Sequence, residues 1–144
     1  MDRELTLICS TCAEAIALDD GCLWVSRRQA DTVRQAYRAL EQRRTDPLDG
    51  SMSFGLADLL ALPEPAVWRA DHRDCDPERE DGGHYRIPAD RLRLRADLLD
   101  WTAHLAGKVW LPHTDWRDLL RETRTGSTRL AVSGPRPPAH LAAF

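Results

Sequence analysis

The apolar positions of the chain fall into short blocks with two different periods. Leu5 to Cys9 is a brief apolar run that leads into Cys9-Ser10-Thr11-Cys12, which predicts a strand ending on a tight turn. Asp19-Asp20-Gly21 is a turn signal, and Cys22-Leu23-Trp24-Val25 after it predicts a second strand. Ser26 suits the N-cap of a helix from Arg27 to Arg44, in which Ala30, Val33, Tyr37 and Leu40 recur at spacings of three and four and make one apolar stripe. Pro47 and Gly50 mark residues 45–51 as a loop. A short helix capped by Ser53 follows, with Leu56, Leu59 and Leu60 expected to face inward, and Pro63 and Pro65 stop it.

Residues 66–70 predict a third strand and residues 84–87 a fourth, ended by Pro88. Asp90 is placed as the cap of a helix to about residue 106, with Leu94, Leu98, Trp101 and Leu105 on one face. Thr114 is placed as the cap of a last helix whose inward residues are Trp116, Leu119 and Leu120. From residue 125 onward, the Gly, Ser and Pro content predicts a loose tail. The expected fold is therefore α+β: a small antiparallel sheet with three to four packed helices. Residues 1–124 form one domain, residues 27–62 a helical insertion within it, and residues 125–144 the tail.

Composition narrows this little. A chain of 144 residues with 42 % hydrophobic and 30 % charged content is the size and make-up of one globular domain. No apolar run approaches the roughly 20 residues that span a bilayer. Met1-Asp2-Arg3-Glu4 is mixed in charge, unlike an export signal, so a cytoplasmic location without a membrane partner is expected. The net charge of −3 leaves only local basic faces for nucleic acid. Arg dominates the basic residues, Lys108 is the only Lys, and Asn is absent, which a genome rich in G and C explains. No Gly-rich phosphate loop occurs, so no nucleotide cofactor is expected.

The cysteines change the picture. In a reducing compartment, Cys9-x-x-Cys12 with a distant His72-x-x-Cys75 reads as metal ligation. Two pairs of that spacing supply four donors to a tetrahedron, and three thiolates with one imidazole suit a closed, structural zinc. The expected site is one zinc on Cys9, Cys12, His72 and Cys75, in a treble-clef or ribbon-like arrangement. Cys22 and His84 are reserve ligands. A redox role for Cys9 and Cys12 is the first alternative, although such a pair usually opens a helix. An HNH-like nuclease is the second: Asp71-His72 superficially matches its catalytic start, yet His72 is needed for the metal and the chain has no Asn for the central position.

Trp68-Arg69-Ala70-Asp71-His72-Arg73-Asp74-Cys75-Asp76-Pro77, with Tyr85-Arg86-Ile87, Leu98 to Leu105, Lys108-Val109-Trp110-Leu111 and Thr114-Asp115-Trp116, resembles small zinc-finger-like proteins of actinobacteria of the Streptomyces kind. The resemblance covers the chain from Cys9 to about Arg121. It implies a Cys-Cys-His-Cys metal site at the positions above and no particular activity.

A closed site without a catalytic set points to a non-enzymatic interaction or regulatory protein. Its expected partner is another protein or a second copy, contacted through Trp110 and Trp116 near the C-terminal helices. The competing expectation is a DNA-binding regulator that uses Arg27, Arg28, Arg34 and Arg38 of the Arg-rich helix, diluted by Asp31 and Glu41.

Overall fold

The computed structural model describes residues 3–78 and 82–133. Its centre is an antiparallel sheet of β2 (Gly21–Ser26), flanked on one edge by β3 (Arg69–His72) and on the other by β4 (His84–Pro88). The register sets Gly21 opposite His72, Trp24 opposite Arg69 and Ser26 opposite His84. β2 carries the apolar run because it is the middle strand: Leu23, Trp24 and Val25 are all buried. A second, two-stranded antiparallel sheet joins β1 (Leu5–Leu7) to β5 (Leu130–Val132).

Helix α1 (Arg27–Arg44) starts directly at the end of β2. The Ser26 side chain accepts a hydrogen bond from the Gln29 N–H, satisfying an amide the helix itself cannot. Ala30, Val33 and Leu40 bury its apolar stripe, and Arg43 and Arg44 in the last turn oppose the negative end of the helix dipole. Helices α2 (Leu56–Leu60), α3 (Arg95–Leu105) and α4 (Trp116–Thr125) complete the α+β architecture. Among the described residues no helix is long and apolar enough to cross a membrane.

The core is built on Trp68, which has no exposed surface. Tyr85, Trp110 and Trp116 surround it with ring centroids 6.2, 6.1 and 4.9 Å away, at tilted or edge-on angles that suit aromatic quadrupoles. The Trp68 indole N–H donates to Thr114 Oγ1 and that of Trp116 to Thr102 Oγ1, each at 3.0 Å. Trp110 and Trp116 are only 8 % and 3 % exposed, so the expectation that they offer a partner surface gives way: they fill the core.

Four other expectations shift. The third strand begins at Arg69 rather than residue 66, because the Trp68 N–H is taken by Asp115 Oδ1 (2.8 Å) and the Ala66 N–H by the His113 carbonyl. Asp90 lies in a single helical turn, Ala89–Arg91, and Leu92 then plugs the core. Leu94 is instead the N-cap of α3, and Asp97 in its first turn accepts from the Arg93 and Leu94 N–H groups. Leu56, Leu59 and Leu60 do not face inward: they are 73, 57 and 81 % exposed, and Asp58 is the buried residue of α2.

The fourth shift concerns the stretch after residue 124, which is not wholly a loose tail. Arg129 is 9 % exposed and donates to Asp115 (2.7 Å), Glu122 (2.6 Å) and the Trp68 carbonyl (3.0 Å). That clamp sets β5 against β1, with Leu130 1 % exposed. Residues 134–144 of the expected tail lie outside the described residues. Leu130→Ala should therefore cost about 2–4 kcal/mol in urea unfolding, as for a core leucine, rather than the ~0.5 kcal/mol or less of a loose surface position.

Candidate metal centre

Two turns that follow two strands bring the chemistry together. After β1, the Ala13 N–H donates to the Cys9 carbonyl (2.9 Å) and closes a tight turn over Cys9 to Cys12. Ala13 completes that turn at φ 63°, a left-handed conformation that costs an L-residue about 1–2 kcal/mol. After β3, the N–H groups of Cys75 and Asp76 both donate to the His72 carbonyl (3.0 Å each) and make the second turn. The first turn is pinned on β3: the Ser10 N–H donates to the Ala70 carbonyl (2.6 Å) and the Ala70 N–H donates to Ser10 Oγ (3.2 Å). Neither Cys nor His of the set lies on a helix.

The result is a group in which one donor atom from each of Cys9, Cys12, His72 and Cys75 lies within 4.8 Å of all the others. This set can hold a metal ion. His72 Nε2 faces the Ala15 carbonyl at 3.0 Å, and a carbonyl can only accept, so Nε2 carries the proton and Nδ1 presents its lone pair. That Nδ1 stands 3.3 Å from Cys12 Sγ. A tetrahedral ion shared by the two would set the edge at about 3.5 Å, from metal–nitrogen and metal–sulfur bonds of about 2.0 and 2.3 Å.

The electrostatics favour a cation at this point. Burial pushes the Cys9 thiol up, but the N–H groups of Cys12, His72 and Thr11 that face its sulfur outweigh it and bring it to about 7. Burial and the neighbouring sulfurs of Cys9 and Cys12 push the Cys75 thiol up to about 11. Burial lowers the His72 pKa, yet the Ala15 carbonyl and Cys9 raise it overall. Three sulfurs this close cannot all be thiolates unless positive charge sits among them.

Beneath the set lies a carboxylate that sequence reasoning treated only as part of a nuclease-like start. Asp71 has no exposed surface. Its Oδ1 accepts from Thr11 (2.6 Å) and its Oδ2 from the Trp24 indole (2.9 Å), while Arg69 donates to both oxygens (3.2 and 3.3 Å). Burial raises its pKa, and the bonds from Thr11, Arg69 and Trp24 more than reverse this and hold it below the usual carboxylate range. Arg69 also lies over the Trp24 ring, 5.7 Å from its centroid. The strand period was the available signal, since Arg69 and Asp71 share a face of β3. Gly21 lets β2 come this close: a Cβ there would stand 2.4 Å from the Asp71 carbonyl oxygen.

The two reserve ligands lie elsewhere. Among the described residues the group contains neither Cys22 nor His84. Cys22 sits on β2 opposite Asp71 and Pro88, where burial pushes its thiol up to about 11. His84 is buried and stacked on Trp24 (centroids 4.3 Å), with its Nε2 beside the Glu78 carboxylate. Of the Arg set, Arg27, Arg28 and Arg38 are exposed on α1 and Arg34 is half-buried.

The chain matches no protein-family model, no characterised protein and no solved structure. Asp71→Asn keeps the shape but turns an amide N–H₂ toward a donor. It should cost about 1–3 kcal/mol of stability and weaken metal retention about 10–100-fold in a competition titration. Unchanged retention would show that Asp71 does not orient the ligands.

Proposed function

We propose that the protein is a zinc-stapled interaction module whose metal is structural and not catalytic. The observation that carries this reading is the convergence of four protein donors on one point. Catalytic zinc keeps a position open for water or substrate, usually beside three protein ligands. Here a fourth donor takes that position, and the nearest carboxylate, Asp71, already accepts from Thr11, Trp24 and Arg69. Three soft thiolates with one imidazole favour zinc over the harder divalent ions. Because both pairs are borne on turns, the ribbon-like form is better supported than the treble clef. A reducing compartment such as the cytoplasm keeps the thiols available as ligands.

Zinc in such a site contributes to folding directly, because the unfolded chain has no preformed cluster. Protein purified without added metal should carry about one zinc per chain. Cys9→Ser, Cys12→Ser, His72→Ala and Cys75→Ser should lose it, and Cys22→Ser should keep it, by elemental analysis. Chelation should lower the unfolding temperature and zinc should restore it. A hydrolytic turnover that tracks zinc and vanishes in a folded His72→Ala protein would sink the structural reading.

The alternative, a DNA-binding regulator, draws on the exposed Arg27, Arg28 and Arg38 of α1. Phosphate contacts through these side chains would weaken steeply with salt, and each Arg→Ala change would reduce the salt slope by about 1. Fluorescence anisotropy with labelled duplex decides it: binding indifferent to salt, or absent, removes this alternative.

A further inference from the structure

Tyr37 and Arg38 stand three and four residues after Arg34 on α1, so the three side chains share one face of the helix. The Tyr37 ring meets that of His113, from the single turn Leu111–His113, with centroids 5.6 Å apart. Burial and then the two guanidinia hold the His113 imidazole below its ordinary pKa, against an opposing effect of Glu41. Positive potential from both arginines therefore converges on one ring. Arg34 is half-buried, and among the described residues neither guanidinium has a hydrogen bond or an ion pair. Arg44, Arg69 and Arg129, by contrast, each have a carboxylate. A partly buried guanidinium without an acceptor is unfavourable, and an anion supplied from outside would satisfy it.

A groove of about 540 Å³ opens beside this cluster. Tyr37 belongs to both: its ring packs on His113 and also lines the groove, where Pro65, Leu111, Pro112 and Leu120 are apolar walls. We propose that the two parts together bind a phosphorylated side chain of a protein partner, with the phosphate on Arg34 and Arg38 beside His113 and a neighbouring apolar side chain in the groove. The inference names the partner chemistry of the interaction module proposed above and rests on that reading. Three terminal oxygens and a charge of about −2 suit two guanidinia, each a planar fork of donors, better than a single carboxylate does. Nucleic acid fits less well. Its backbone carries a charge at every nucleotide, and here the cationic spot is short: Glu41 acts on the same His113 ring and Asp118 lines the groove. A single phosphate avoids both carboxylates, whereas a continuous polyanion would meet them.

The test is an NMR titration of the whole, zinc-loaded chain with acetyl-phosphoserine-leucine amide, its unphosphorylated form, inorganic phosphate and a short DNA duplex. The phosphopeptide is expected to shift the amide signals of residues 34–38 and of Leu111 and Leu120, and the unphosphorylated form to leave them in place. Arg34→Gln and Arg38→Gln are each expected to weaken binding about tenfold, the loss of one charge-assisted contact. Arg28→Gln makes the same charge change on another face of α1 and should leave the affinity unaltered. Circular dichroism and zinc content of all three variants should match the wild type. Zinc-loaded protein that ignores the phosphopeptide overturns the site and leaves the zinc-stapled module standing. Inorganic phosphate that binds as tightly, with no shift at Leu111 or Leu120, assigns the arginines to a bare anion and overturns the peptide as ligand. A duplex that binds more tightly, and is lost in the same two variants, gives this face to nucleic acid and overturns it too. Protein that carries no zinc yet binds the phosphopeptide through both arginines supports the site and defeats the staple.

Discussion

Asp71 carries a charge with no access to water, and that is tolerable only because three separate parts of the chain bring donors to it. Thr11 comes from the first turn, Trp24 from β2 and Arg69 from β3 itself. Satisfying one carboxylate therefore fixes the Cys9–Cys12 pair relative to the strand that delivers His72 and Cys75. His72 and Cys75 follow within four residues, so their positions come with it. The sheet register is bound to the same demand, because Gly21 must lie opposite His72 with no side chain to hold β2 away. A buried charge is weak evidence of stability by itself, yet it specifies one arrangement sharply, since any other leaves it unpaired.

A second buried charge does the corresponding work on the far side of the aromatic core. Arg129 joins Asp115 and Glu122, at the start and within the body of α4, to the carbonyl of Trp68. Both carboxylates together outweigh the burial that would lower its pKa, and its pKa is raised. Trp68 stands between the two networks: the strand that follows it leads to Asp71 and the candidate metal cluster, and its own carbonyl receives Arg129. The indole rings of Trp110 and Trp116 are drawn into this junction rather than left for a partner, which is why aromatic residues near the C-terminal helices are a poor guide to an interface here.

The clustering of Cys9, Cys12, His72 and Cys75 was legible because spacing is a local property: two pairs, each with two residues between the donors, define two turns without any knowledge of the fold. Helix α1 was legible for a similar reason, since Ser26 and the stripe of Ala30, Val33 and Leu40 are all contained within it. What could not be read were relations between distant segments. Nothing around Asp71 announces that Thr11 and Trp24 will reach it. Nothing in residues 125–133 announces a clamp, because Gly126, Ser127 and Ser133 read as loop while Arg129 owes its place to Asp115 and Glu122. Ala13 gave no signal either, as its left-handed turn is one where glycine would ordinarily be looked for.

The arm after α1 inverts the usual rule for helices, and the inversion has a definite cause. Leucines at spacings of three and four ordinarily decide which side of a helix faces the core. In α2 the choice is made instead by Asp58, which Arg44 and the Gly55 N–H hold inward. With five residues, α2 has too few turns for hydrophobic burial to compete, and none of its leucines joins the core built around the aromatic cluster. The leucines are thus oriented by a polar contact that has no need of them. Exposure on that scale disfavours the isolated chain, since apolar area left in water forgoes roughly 25 cal/mol per Å². A covering surface would recover that free energy without altering anything Asp58 or Arg44 does.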